Sequence, residues 1–107
     1  MAKWTDEEVE QVWNKASEVP GYDKNVYRKD QCGAWIKRDQ YGAASVGESH
    51  TSLKWQVDHI KPDSKGGADV LSNARPLQWY NNDCRQNGRL KTKVTAEDNY
   101  NIEITDK

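Results

Sequence analysis

The residues of this chain best suited to chemistry are an Asp-His pair and two asparagines. Asp58 and His59 are adjacent, and Asn82 lies nine positions beyond Asn73. Imidazole titrates near neutral pH, so His59 is suited to remove a proton from water. Carboxylate and amide oxygens are the ligands that a hard divalent cation prefers, and Asp58 and Asn82 supply one of each. A base and a cation that stabilises charge on a phosphate are what hydrolysis of a phosphodiester needs.

The backbone that carries Asp58 and His59 is predicted to be the end of a β-strand. Residues 53–58 alternate apolar and polar side chains, which is typical of a half-buried strand with its odd-numbered residues in the core. Asp58 is then directed to the opposite face. Because neighbouring strand positions point to opposite sides, a strand that ends at this pair lets one side chain reach a metal and the other a water.

The segments that follow the Asp-His pair predict a strand and a helix that close the site. In order, they are a structured turn at 60–67, a tight helical turn or loop at 69–73, a short extended edge segment at 75–79 and an exposed helix at 80–89 that ends at Gly88. Asn82 falls early in this helix and is expected to face the Asp-His pair.

The rest of the chain predicts an amphipathic helix and several polar segments. Thr5 and Glu8 form a capping-box pattern, and apolar residues then recur at helical spacing, so we expect a helix over residues 6–18 that ends at Pro20-Gly21. Residues 22–31 are irregular, and residues 32–36 are a short strand or turn. Residues 37–52 form a surface loop whose 42–52 portion has no assigned role. The polar tail, residues 92–107, adds an edge strand or frays.

Composition fits one small α+β domain spanning residues 1–107. Charged residues are 31% and hydrophobic residues 35%, so the core is modest and depends on five Trp and five Tyr. The net charge of −1 is unevenly distributed, because residues 54–91 carry seven Lys/Arg against four Asp/Glu, a net charge of +3. This basic segment favours contact with phosphate. The candidate contacts are Lys61, Lys65, Arg85 and Arg89.

Neither a membrane span nor a zinc cluster is expected. No apolar run approaches the roughly 20 residues of a membrane helix, and no secretory signal is recognisable. We therefore expect a cytoplasmic protein, although an effector exported by a fused partner has the same features. Cys32 and Cys84 are far apart and no CxxC occurs, so both are interpreted as small buried hydrophobic residues rather than ligands or a disulfide.

The residues around the Asp-His pair resemble the HNH endonuclease family. The matching pieces are Val57-Asp58-His59-Ile60-Lys61-Pro62, Ser64-Lys65-Gly66-Gly67-Ala68-Asp69, Leu71-Ser72-Asn73, Pro76-Leu77 and the lead-in Arg28-Lys29-Asp30-Gln31-Cys32-Gly33. They occur in the family's order and spacing, and Asn82 matches the final position in its Asn form. The resemblance covers about residues 26–89.

The resemblance implies a ββα-metal core at about residues 53–89, with the N-terminal helix at about 5–18 packed on it and a polar C-terminal tail. His59 would be the general base, and Asp58 and Asn82 would coordinate one divalent ion together with phosphate and water. Asn73 would hold the loop through side-chain hydrogen bonds to backbone. The helix would approach the DNA minor groove, and the products would carry a 5′-phosphate and a 3′-hydroxyl.

The ligand types favour magnesium, with manganese or another transition metal as alternatives. No structural zinc is expected, because Gln78 and Asn81 stand where many relatives carry cysteines.

These residues therefore predict a DNA endonuclease, with RNA as an alternative substrate. Two other functions stay open: a catalytically silent nucleic-acid-binding module on the same fold, and a nuclease toxin neutralised by an immunity protein. The partner could also be a larger phage or restriction assembly.

Overall fold

In the part of the chain that the structure describes, short strands pair in sequence order into three two-stranded antiparallel sheets, accompanied by two α-helices. The computed structural model describes residues 4–62 and 65–105, so Ser64 of the family resemblance lies outside the described residues. The elements are α1 (Asp6–Trp13), β1 (Tyr27–Lys29), β2 (Trp35–Lys37), β3 (Trp55–His59), β4 (Ala74–Gln78), α2 (Trp79–Cys84), β5 (Val94–Glu97) and β6 (Tyr100–Glu103). The sheets are β1-β2, β3-β4 and β5-β6. The predicted α+β class is confirmed.

Helix α1 begins where the capping pattern predicts. The Thr5 side chain accepts a hydrogen bond from Glu8 N, and the Glu8 carboxylate accepts one from Thr5 N. These reciprocal bonds satisfy two backbone donors that a helix start otherwise leaves free. The apolar face of the helix buries Val9, Val12 and Trp13.

Helix α1 ends at Trp13, so the prediction that it continues to residue 18 is wrong. The helix ends there because the residues that follow it make contacts with β1, which is distant in sequence. The Arg28 guanidinium donates to the carbonyls of Asn14 and Ala16 at 3.1 Å each, and Ser17 pairs with Lys29 of β1. Backbone groups that would have continued the helix are satisfied instead by β1 and a buried arginine.

The core lies between α1 and the β3-β4 sheet. The indole rings of Trp13 and Trp55 meet at 5.3 Å between centroids, and both side chains are fully buried. Val57 and Leu71 pack against this cluster, and the alternation in β3 predicts this position for Val57. Leu53, which was expected in the same strand, precedes it.

Strands β3 and β4 are antiparallel, and α2 follows β4 without a connecting loop. The register pairs Asp58 with Arg75 and His59 with Ala74. Of the two alternatives for residues 69–73, a tight helical turn or a loop, the structure has the first, a 3-10 turn at Leu71–Asn73. The strand–strand–helix order places β3 beside α2.

Helix α2 has six residues, so the prediction of a helix over 80–89 is wrong in extent. It starts early because the buried Gln78 side chain accepts hydrogen bonds from Tyr80 N and Asn81 N. It stops at Cys84 because Arg85 is extended and a tight turn with positive φ at Asn87 and Gly88 follows. A Cβ on Gly88 would lie 2.7 Å from Ile60 O, so this turn needs glycine to approach the segment after β3.

The polar C-terminal segment forms the β5-β6 hairpin. The Asn101 side chain accepts a hydrogen bond from Trp35 N at 2.7 Å and donates one to Trp35 O at 3.0 Å. Asn101 therefore binds both backbone groups of Trp35 in β2. These two hydrogen bonds hold the C-terminal hairpin in place although its hydrophobicity is low. Within the described part of the chain, neither helix is long and apolar enough to cross a bilayer.

Candidate active site

Asp58 is a buried carboxylate held by two arginines. It lies on the face of β3 turned away from α1, and its residue exposure is 2%. Arg75, its cross-strand partner, donates from Nε to Asp58 Oδ2 at 2.7 Å and from Nη2 to Gly88 O at 2.5 Å. This buried pair therefore joins the β3-β4 ladder to the turn that follows α2.

The second oxygen of Asp58 faces Arg85. Arg85 Nε lies 2.8 Å from Asp58 Oδ1, but the approach is not aligned for a hydrogen bond, and Oδ1 has no hydrogen-bond partner among the described residues. Arg85 Nη1 donates to both the backbone oxygen and Oδ1 of Asn82, at 2.5 Å each. One guanidinium therefore contacts the carboxylate of Asp58 and the amide oxygen of Asn82.

Burial controls the charge state of Asp58. Desolvation raises the pKa of this carboxyl above its ordinary value, while the hydrogen bond from Arg75 and the charges of Arg85 and Arg75 oppose the rise. The ionised form that a metal ligand needs thus depends on nearby positive charge.

Gln56 fixes the orientation of the Asn82 amide. Asn82 Nδ2 donates to Gln56 Oε1 at 2.6 Å, which leaves Asn82 Oδ1 directed toward Arg85. Gln56 received no role in the sequence analysis. Its position two residues before Asp58 on one strand was the available signal, because such residues share a face.

His59 forms a separate part of the site. Its Nε2 lies 2.6 Å from Asp69 Oδ1, and its ring centroid is 5.9 Å from that of Trp4. Among the described residues it makes no hydrogen bond or ion pair with Asp58 or Asn82. The structure therefore brings Asp58 and Asn82 together through Arg85, and places His59 at the end of the same strand with its own carboxylate partner.

Asn73 holds the loop between β3 and β4. Its side chain accepts a hydrogen bond from Lys61 N at 2.8 Å and donates to Lys61 O and Ala68 O at 2.9 and 3.0 Å. Gly67 lies inside this arrangement, where a Cβ would meet Lys61 O at 1.6 Å. The Asn73 amide and the close approach of Gly67 to Lys61 therefore hold the loop segment that places Asp69 beside His59.

An open cavity of about 420 Å³ lies beside Asn82 and Arg85, and the buried Asp58 is not part of its lining. Its lining residues are Pro62, Asn82, Asp83, Arg85, Asn87 and Gly88. The other candidate phosphate contacts, Lys61, Lys65 and Arg89, are exposed. Lys61 and Arg89 are the sequence neighbours of the lining residues Pro62 and Gly88. Of the four candidate phosphate contacts, Arg85 is the one that forms an ion pair with Asp58.

Gln78 and Asn81 belong to a network of hydrogen bonds around a buried aspartate. Asp30, 4% exposed, accepts from Cys32 N, Ala34 N, Gln78 N and Asn81 Nδ2 at 2.9 to 3.2 Å.

Asn81 extends this network to β5, because its Oδ1 accepts from Val94 N at 2.8 Å. Burial raises the pKa of Asp30, although these four donors oppose the rise. Both cysteines are free.

Asp58 and Asn82 supply one carboxylate and one amide oxygen, which are the ligand types that a hard cation prefers. In residues 4–62 and 65–105, no group of three or more His, Cys, Asp or Glu side chains could hold a metal ion. A metal here would have one carboxylate and one amide oxygen from the protein, with its remaining ligands from water or phosphate. The Arg85 guanidinium contacts these two oxygens through different nitrogens, Nε for Asp58 Oδ1 and Nη1 for Asn82 Oδ1.

No model of a known protein family matches this chain, and no curated protein or solved structure matches it.

Proposed function

We propose that this protein is a metal-dependent DNA endonuclease of the HNH type, with β3, β4 and α2 as its ββα-metal core. The observation that carries the proposal is that the Arg85 guanidinium contacts both Asp58 Oδ1 and Asn82 Oδ1, and that Arg85 and Asn82 line an open cavity. Such oxygens suit a magnesium or manganese ion, which would stabilise charge on the scissile phosphate.

Each side chain then has a distinct task. Asp58 and Asn82 would hold the metal, and Gln56 keeps the amide oxygen of Asn82 turned toward it. Asp69 binds Nε2 of His59, so an ionised Asp69 places the ring hydrogen on Nε2 and leaves the Nδ1 lone pair free to take a proton from water. Attack by that water would leave a 5′-phosphate and a 3′-hydroxyl. Exposed Lys61, Lys65 and Arg89 would contact neighbouring phosphates.

A second candidate, a catalytically silent nucleic-acid-binding module, is favoured by one contact. Arg85 forms an ion pair with Asp58 and a hydrogen bond with Asn82 Oδ1, so a protein cation already lies against the two oxygens assigned to a metal. A silent module would bind DNA through the same basic residues and would cleave nothing.

Nicking of supercoiled plasmid separates the two functions. We expect nicking with Mg²⁺, loss of nicking with a chelator, and loss of about 10²-fold or more in His59→Ala, as for removal of a general base. His50→Ala is the matched control, because His50 pairs with Glu103 and Tyr80 in another part of the molecule. Binding without nicking favours the silent module, and equal nicking by His59→Ala and wild type excludes His59 as the base.

A further inference from the structure

Arg85 has an unusual position for a residue named as a phosphate contact. It is the C-cap of α2, and its guanidinium points back onto Asp58 Oδ1 and Asn82 Oδ1. These are the two oxygens assigned to the metal under the proposed function, on which this inference depends. A divalent cation and a guanidinium cannot both occupy the short contacts that these oxygens offer.

The competition between Arg85 and a divalent cation involves only one oxygen of the Asp58 carboxylate, Oδ1. Arg75 binds Asp58 Oδ2 and is anchored to Gly88 O, so it neutralises Asp58 without touching Oδ1. Oδ1 has no hydrogen-bond partner among the described residues and is approached by Arg85 alone. A cation can therefore replace Arg85 at Oδ1 while the Arg75 pair persists.

Arg85 also has room to leave. Its side chain is 30% exposed and lines the cavity of about 420 Å³, whereas the Arg75 side chain is 8% exposed. The Arg85 backbone is already extended, with φ −64° and ψ 155°, so a change of side-chain rotamer breaks no backbone–backbone hydrogen bond and gives up only the side-chain contacts to Asp58 and to the two oxygens of Asn82. The released guanidinium would remain at the cavity wall, where an anionic phosphate would bind.

We infer that Arg85 is an exchangeable internal cation that closes the metal site and is displaced when a divalent cation binds Asp58 and Asn82. Displacement converts Arg85 from a partner of Asp58 into a cation available to phosphate. Binding of metal and binding of phosphate are then coupled, because the first frees a group that the second uses. In this closed form Arg85 also keeps the buried carboxylate neutralised.

Titration with MnCl₂, followed by isothermal calorimetry, tests the competition without any measurement of cleavage. Arg85→Gln should bind Mn²⁺ about tenfold or more tightly than wild type, because no charged hydrogen-bonded contact must be broken. Arg89→Gln removes the same charge from an exposed position nearby and should change affinity much less. Arg85→Lys should fall between, because one ammonium cannot bridge both oxygens in the same way.

The wild-type protein supplies a second measurement that no folding defect can affect. Spectra of the arginine Nε–H groups during Mg²⁺ addition should show the Arg85 resonance moving and that of Arg75 staying in place. Equal Mn²⁺ affinity in Arg85→Gln, Arg89→Gln and wild type would overturn the inference while leaving the metal site intact, and so would an Arg85 resonance unmoved at saturation. Absence of Mn²⁺ binding in every variant would instead remove the metal site, and with it both the proposed function and this inference.

Discussion

Arg75 lies directly opposite Asp58 across the β3-β4 ladder, with its Nε 2.7 Å from Asp58 Oδ2. Both side chains are almost fully buried, so the ion pair that they form between the two strands is shielded from solvent. The carboxylate proposed to hold a metal is therefore also the counter-ion of a buried arginine. Changes at Asp58 should affect the stability of the fold as well as any chemistry.

The variant Asp58→Asn should lower the free energy of unfolding by about 3 kcal/mol, because it keeps the side-chain volume but leaves the Arg75 charge buried without a counter-ion. Urea denaturation measures this change. The double variant Asp58→Asn with Arg75→Met should be more stable than Asp58→Asn alone, because it removes the unpaired charge. If Asp58→Asn unfolds at the same urea concentration as wild type, the pair contributes nothing to stability.

Asp69 should position His59 for its proposed role. The variant Asp69→Asn should lower kcat for plasmid nicking about 10- to 100-fold, the usual range for loss of a group that orients a functional histidine, with little change in KM. A change in KM alone would assign Asp69 to substrate binding instead. Asp83→Asn is the control, because it removes an exposed carboxylate that lines the cavity without touching His59.

Gly67 should be intolerant of even one methyl group. A Cβ there would overlap Lys61 O, so Gly67→Ala must displace the loop that Asn73 closes. We expect a loss of roughly 1–3 kcal/mol in unfolding free energy, as for overpacking, together with slower nicking.

Gly47→Ala is the steric control for this change. Its φ of +79° strains an alanine, but nothing lies within 4 Å of the added carbon. It should cost about 1 kcal/mol and leave nicking unchanged. Equal loss of nicking in both variants would mean that crowding at Gly67 is not the cause.

The sequence predicted those elements whose stability is local. The Thr5–Glu8 capping box and the alternation in β3 are patterns within a few residues, and both appear in the structure. The 3-10 turn at Leu71–Asn73 was predicted for the same reason. Errors arose where distant groups decide the outcome, as at the ends of both helices. Helix α1 stops just before the carbonyls of Asn14 and Ala16, which Arg28 binds, and α2 stops just before the turn in which Gly88 approaches Ile60.

The same distinction applies to the candidate site. Asp58, His59, Asn73 and Asn82 could be selected by residue type and spacing, but their partners could not. Arg75 reaches Asp58 through the register of β4, and Asp30 reaches Gln78 and Asn81 from 48 and 51 positions away. These contacts depend on pairing between remote segments, which a single sequence does not specify.

Asp30 should make the free energy of unfolding depend on pH. Burial and hydrogen bonding act in opposite directions on its pKa, and the stronger of the two sets the direction of this dependence. Burial raises its folded pKa above the ordinary value of 3.8, while four N–H donors favour the ionised form. A raised pKa means that the folded state binds the proton more tightly than the unfolded chain does. The stabilisation from Asp30 is then fully present below pH 3.8 and is lost as pH rises through the folded value.

Comparison with Asp30→Asn isolates this effect, because the variant cannot titrate at position 30 and all other groups cancel. The unfolding free energy of wild type minus that of Asp30→Asn should decrease as pH rises from 3 toward neutrality, measured in urea at matched pH. An increase instead would mean that the donors from Cys32, Ala34, Gln78 and Asn81 outweigh desolvation and keep the carboxylate ionised. The network would then stabilise the start of α2 most at neutral pH, since a charged acceptor strengthens each of its hydrogen bonds.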